Sequence, residues 1–146
     1  MIKSFRGKIA HNGQERIRLS TNKGEVGYQI RKFEIIGTRP DHVSQENTVM
    51  IFKTFQTTST GDWDIVDLGN PDLLAVAYRE NGNAATNNEP ATIIFDIEVF
   101  NQDIYITHMD GTGSDSCNYY IEMEVIKLSV QQAEYATIKD IRSNKS

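Results

Sequence analysis

The chain has 146 residues and a single cysteine, Cys117. One cysteine can form neither an internal disulfide nor a thiolate zinc site, so the fold must hold without staples. No apolar run approaches the roughly 20 residues that carry a helix across a bilayer, so no membrane partner is expected. The first twenty residues, MIKSFRGKIAHNGQERIRLS, lack the apolar core and cleavage site of a signal peptide, and none is expected. A Gly-x-Ser-x-Gly elbow, a P-loop and a Rossmann fingerprint are all missing, which removes the common hydrolase and nucleotide-binding motifs. There is no internal repeat and no low-complexity segment. A chain of this length buries roughly two-thirds of its unfolded surface, and residues 1–146 read as one domain.

Charge is present but uneven. The net charge is -5. Residues 1–39 hold nine basic and three acidic residues, or +6, and the remainder holds six and seventeen, or −11. Such a split can steer one copy's basic part onto another copy's acidic part. Phe5, Tyr28 and Phe33 interleave with those basic residues, as on an oligonucleotide-binding sheet. The acidic balance of the whole chain argues against tight nucleic-acid binding.

Short β-rich runs alternate with polar turn clusters. Residues 2–10 form the first candidate strand, and Asn12-Gly13 after it carries a type I′ turn signal. In Arg16–Thr21, Ile17 and Leu19 share one side. Tyr28 and Ile30 share a face, whereas Phe33 and Ile35 share the opposite one. That slip predicts a bulge or a strand buried on both sides. Thr48–Phe55 carries bulk on both faces, which calls for either a second sheet or a subunit interface. A turn at 67–72 precedes the apolar run Leu73–Tyr78. The polar stretch ENGNAATNNEP at 80–90 reads as a surface loop.

Residues 95–110, FDIEVFNQDIYITHMD, sort well as a hairpin turning at Asn101-Gln102. Phe95, Ile97, Val99, Ile104 and Ile106 would then line one face, with Asp96 and Glu98 on the other. His108 falls on the apolar face, where a hydrogen-bonded core histidine is the simpler reading than a ligand. Residues 110–116 read as a small loop. In the final strand, Asn118–Leu128, Tyr119, Ile121, Met123 and Val125 alternate with acids. Beyond it Ser129 and Gln132 form a capping-box signature. Ala133, Thr137, Ile138 and Ile141 share a helical face, so a short amphipathic helix is expected at about 129–142. Eight or nine strands with one terminal helix predict a mainly β chain: an antiparallel β-sandwich, jelly-roll-like, with a partly open barrel as the alternative.

No catalytic set emerges. Asp96-x-Glu98 resembles the first metal motif of DEDD-type proofreading exonucleases, and two such carboxylates on a strand could share a Mg²⁺. The rest of that motif set fails on spacing. Tyr105 and Asp110 have four residues between them, not three, and no histidine stands five positions before an aspartate. DGTGSD at 110–115 lacks the spacing of an EF-hand loop. No feature activates Cys117. No catalytic residue, metal or cofactor is therefore expected.

A different pattern lies in the C-terminal third. FNQDIYITH at 100–108, NYYIEMEVIKL at 118–128 and QAEYATIKDIR at 132–142 resemble small virion proteins of marine tailed phages. The resemblance implies a non-enzymatic β-sandwich protein of the virion, assembled in the host cytoplasm. It would decorate or cement the capsid as a homo-oligomer, against the major capsid protein or other virion proteins. A head–tail connector or tail component is the neighbouring reading. A carbohydrate or single-stranded nucleic-acid binding module is the alternative of another class. Lys3, Arg6, Lys8, Arg16 and Arg18 are the expected subunit contacts, with Asp96 and Glu98 as acids that a neighbour's basic region would cover.

Overall fold

The computed structural model of the chain describes residues 1–19, 26–39, 45–57, 63, 65–81 and 92–128. The expected helix at 129–142 and most of the polar loop, 82–90, lie outside these residues. Eight strands appear: β1 (Ile2–Ile9), β2 (Gly13–Ile17), β3 (Val26–Gly37), β4 (Gln45–Phe52), β5 (Leu73–Asn81), β6 (Thr92–Phe95), β7 (Ile104–Asp110) and β8 (Cys117–Lys127). They form a three-stranded sheet, β1-β8-β3, and a five-stranded sheet, β2-β7-β4-β5-β6. All pairings are antiparallel. The chain is mainly β and sandwich-like.

Early strands pair late ones: β1 with β8, β2 with β7, β4 with β5. A fourth junction follows the same rule, because Phe100, just after β6, bridges Tyr28 of β3. Their main chains exchange hydrogen bonds of 2.7 and 2.9 Å, and the rings stack at 6.2 Å.

The core lies between the sheets. Ile9, Tyr28, Ile30, Phe33, Ile35, Ile121 and Met123 from one meet Ile17, Val49, Ile51, Ala77, Ile104 and Ile106 from the other. Each large side chain so buried stabilises the fold by ~1.5–3 kcal/mol before its entropy cost. The slip expected in β3 is a bulge: the register with β8 shifts between Ile30 and Lys32. Arg31 is the extra residue, and its insertion lets Tyr28, Ile30, Phe33 and Ile35 all point inward.

The two-faced bulk of β4 has a different answer from either expected one. Val49 and Ile51 enter the main core. Met50 and Phe52 form a second, smaller core on the opposite side with Val76 and Leu73. The chain's own connection from β4 to β5 lies by that side: Trp63 is buried and lines a pocket of about 280 Å³ with Met50, Phe52 and Leu73. Gln14 and Gln56 tie the connection to β2 through reciprocal bonds of 2.8 Å. Asp67 and Asn70 turn it back through side-chain bonds to the N–H groups of Gly69 and Asp72, where the sequence predicts a turn.

Two local expectations are corrected. The hairpin at 95–108 does not form. β6 pairs with β5, and β7 pairs with β2 and β4. Residues 96–103 cross from one sheet toward the other, because the Tyr28–Phe100 bridge captures the segment before it can turn back. Phe100, assigned to the polar face by the hairpin register, is 1% exposed, while Ile97 is 77% exposed. The turn after β1 also differs. Gly13 N–H bonds to Ala10 O at 3.1 Å, and Asn12 is the non-glycine residue with positive φ, at 55°. A positive φ at the second central residue alone is the type II pattern, not I′. It passes the chain between sheets, so β1 and β2 are not paired.

Candidate functional site

The outer face of the three-stranded sheet receives several of the predicted contact residues. Cross-strand rows place Arg6 beside Tyr120 and Glu34, and Ser4 beside Glu122 and Lys32. Lys8 stands beside Asn118 on the same side. Lys3 falls on the other phase, opposite Met123, and is exposed. The basic surplus of residues 1–39 is therefore not one basic patch. Glu34, Glu122 and Glu124 interleave with it, Arg31 pairs with Glu124, and Lys32 lies 6.0 Å from the centre of the Tyr120 ring.

Of the remaining predicted residues, Arg16, Asp96 and Glu98 have partners within the chain. Arg16 donates its Nε–H to Asp103 at 2.6 Å, which holds the guanidinium above its usual pKa through that bond and the adjacent charge. Asp103 also accepts the Leu19 N–H at 2.7 Å. Arg18 is exposed beyond β2. Asp96 and Glu98 do not converge. Asp96 is exposed and caps the Glu98 N–H at 3.0 Å. Glu98 turns in to meet Lys53 at 3.0 Å, in a pair whose side chains are 12% and 3% exposed. The strand geometry that would have aimed both at one metal is missing, since residues 96–99 belong to no strand. Among the described residues no group of three or more His, Cys, Asp or Glu is placed to hold a metal.

A polar cluster closes one end of the sandwich. His108 is fully buried. Its Nδ1 lies 3.2 Å from Ala10 O, and its Nε2 lies 2.9 Å from the Asn47 amide. Burial pushes the imidazole below its ordinary pKa, against the bond to Ala10. A neutral ring donating from Nδ1 needs an N–H at Nε2, which the Asn47 amide supplies when turned end for end. Burial pushes the Asp110 carboxyl up, but N–H groups of Glu46, Thr112 and Asp115 and the Thr112 hydroxyl outweigh it, so it titrates below the usual range. Both Asp110 oxygens face donors at 3.2–3.3 Å, and Asp115 accepts the Gln45 amide at 3.0 Å. This loop is thus occupied by its own hydrogen bonds. Cys117 is buried, and its thiol is pushed up to about 12, mainly by burial and then by Asp110. It remains a thiol at neutral pH and is a poor nucleophile. The cluster ties the β1–β2 turn, the start of β4 and the β7–β8 loop together.

The third zone escapes the sequence reading. Leu68, Ile94 and Phe95 line a groove of about 310 Å³ along β5 and β6. Ile65 and Leu68 are each 64% exposed, Ile94 47%, Phe95 36% and Ile97 77%. β6 is the outermost strand of its sheet, and its four residues, TIIF, carry no charge. Apolar side chains along an uncharged edge are the chemistry that a contact surface uses. The hairpin register hid it by assigning Phe95 and Ile97 to the core. The usable signal was Ile93-Ile94-Phe95, three bulky residues in a row that no single strand face can bury.

Compared with known proteins, the sequence matches no family model and no curated protein.

Proposed function

We propose that this chain is a jelly-roll component of a tailed-phage virion, a head decoration or cement protein that works by subunit contact. The observation that carries the reading is the exposed apolar groove of Leu68, Ile94 and Phe95 at the uncharged β6 edge, with Ile97 exposed two residues beyond it. Leaving that many large apolar groups in water is costly, and seating a protein partner on them removes the cost. A second copy of the chain is the first partner, and the major capsid protein the next.

Two further points support it. The pairing of β1 with β8, β2 with β7, β4 with β5, and β3 with the residue after β6 is that of a long hairpin wound into two sheets. Such pairing supports a jelly-roll plan, one that serves capsid and lectin domains among others. Fold alone does not fix function, so the surface bears the weight. The sequence resemblance at 100–108 and 118–128 supplies the virion context. A connector or tail position would use the same contact chemistry.

Mass spectrometry of purified particles tests the context: the protein should be present in stoichiometric amounts, and its absence defeats the virion reading. Light scattering of the isolated protein tests the contact itself. An assembly that Ile94→Lys and Ile97→Asp dissolve, with unchanged thermal unfolding of the subunit, is the expected result.

A further inference from the structure

The outer face of the three-stranded sheet holds a shallow depression of about 560 Å³, lined by Arg6, Glu34, Ile36, Arg79, Asn118 and Tyr120 among others. Its size falls within the ~300–1,000 Å³ of small-ligand sites. Arg6, Tyr120 and Glu34 stand in one cross-strand row, with Asn118 and Ile36 in the next. Gly7, Tyr119 and Ile35 alternate with them along β1, β8 and β3 and also line the depression. Tyr119 can lie flat there because Gly7 has no side chain: a Cβ would come within 2.8 Å of the Tyr119 hydroxyl. The glycine thus fixes the floor beneath the row.

Two features set this depression apart from an ordinary wet sheet face. First, neither Arg6 nor Arg79 has an ion pair or hydrogen bond among the described residues, although acids are plentiful on the same face. Two free guanidinium forks converging on one hollow suit a carboxylate or sulfate, which they can grip with paired N–H donors. Second, the other lining groups are those that bind a polyhydroxylated, flat-faced molecule. Tyr120 offers the ring face that Lys32, 6.0 Å from its centre, leaves open, with a hydroxyl at its tip, and Asn118 and Glu34 offer a donor–acceptor amide and an acceptor.

The acids narrow the class. Glu34, Glu122 and Glu124 ring the same face and repel a chain with a charge on every unit, a polyphosphate backbone or a fully sulfated glycan alike, which leaves ligands that carry a single anionic group. We infer that this depression is a binding site for an acidic saccharide, gripped by Arg6 and Arg79 with a sugar ring against Tyr120. Arg6, Glu34, Asn118 and Tyr120 stand on the three-stranded sheet, whereas Arg79 reaches the depression from β5 of the other sheet.

The test is an array of oligosaccharides bearing one uronic, sialic or sulfate group beside neutral ones of equal length, with oligothymidylate as a polyphosphate control. The best acidic probe is then titrated by calorimetry. Binding to acidic probes only is expected. Arg6→Ala or Arg79→Ala should weaken it about tenfold or more, the loss of one charge-assisted hydrogen bond. Arg6→Lys should retain part of the affinity, and Lys3→Ala, on the other phase of β1, all of it. Tyr120→Ala should abolish binding, and matching melting curves show whether that variant is folded. If it is not, the Arg6 series decides alone. No binding to any acidic probe, equal binding to neutral ones, preference for oligothymidylate, or unchanged affinity in the Arg6 and Arg79 variants each overturns the inference.

Discussion

The two sheets turn unlike faces outward. The outer face of β1-β8-β3 alternates cations, acids and tyrosine, and its Arg31–Glu124 pair is open to solvent, with side chains 51% and 36% exposed. The outer face of β2-β7-β4-β5-β6 carries an apolar strip of Met50, Phe52, Val76 and Ile94 among Gln14, Arg16, Glu46, Thr107 and Glu80. Half of it is sealed by the β4–β5 connection over Met50 and Phe52, and the other half, at Ile94 and Leu68, is bare. The difference teaches where each kind of partner belongs. A charged, hydroxyl-bearing molecule suits the first face. A protein that can exchange water for apolar contact suits the second.

Substitutions can break this contrast, and the largest effect belongs to the Lys53–Glu98 pair, whose acid lies on the segment that runs between the sheets. Lys53→Ala leaves Glu98 charged and nearly buried without its cation. Removing one partner of a buried pair typically costs about 3–5 kcal/mol, and urea unfolding should show a loss of that order. Lys53→Met with Glu98→Gln should recover much of it. Next comes Met50→Ala. If the second core is part of the folded subunit, cavity formation should cost roughly 2–4 kcal/mol in the same measurement. A cost under about 0.5 kcal/mol would make Met50 a surface residue and erase the distinction between sealed and bare halves.

The polar end, which joins both sheets, adds a pH signature. Folded His108 has a lowered pKa, whereas the unfolded ring takes up a proton below about pH 6.5. Stability is therefore complete above that pH and falls as the pH drops through the window beneath it. Asp110, with its lowered folded pKa, adds a separate loss only as the pH falls below the usual carboxylate range. Melting temperature against pH should show the upper step in the wild type and not in His108→Gln. The smallest effect belongs to the open face. Arg31→Ala should cost less than about 1 kcal/mol, because solvent and salt screen an exposed pair.

What the sequence could tell followed from local periodicity. The bulge near Arg31 was visible as a phase slip, and the burial of Ile17 and Leu19 as simple alternation. The turn at 67–72 was visible from its Asp, Asn, Gly and Pro. What it could not tell was which strand each neighbour would meet. Phe95–Ile106 sorts as a hairpin because alternation specifies faces, not partners, and the decisive contact is Tyr28 with Phe100, 72 positions apart. The same limit explains the charges. Nine cations in 39 residues look like a patch until β8 inserts its glutamates between β1 and β3. Arg79 joins Arg6 and Tyr120 only through the stacking of the two sheets, so no reading along the chain could assemble that hollow.

The central claim is that the bare apolar half of the five-stranded sheet is a contact surface. Multi-angle light scattering over a range of protein concentrations tests it most directly, with the wild type beside Ile94→Lys and Ile97→Asp. The account predicts a wild-type assembly larger than the 16.5 kDa subunit and variants that run as folded monomers. A wild type that stays monomeric up to about 100 μM, weaker than nearly all specific assemblies, or variants that assemble unchanged, would contradict it.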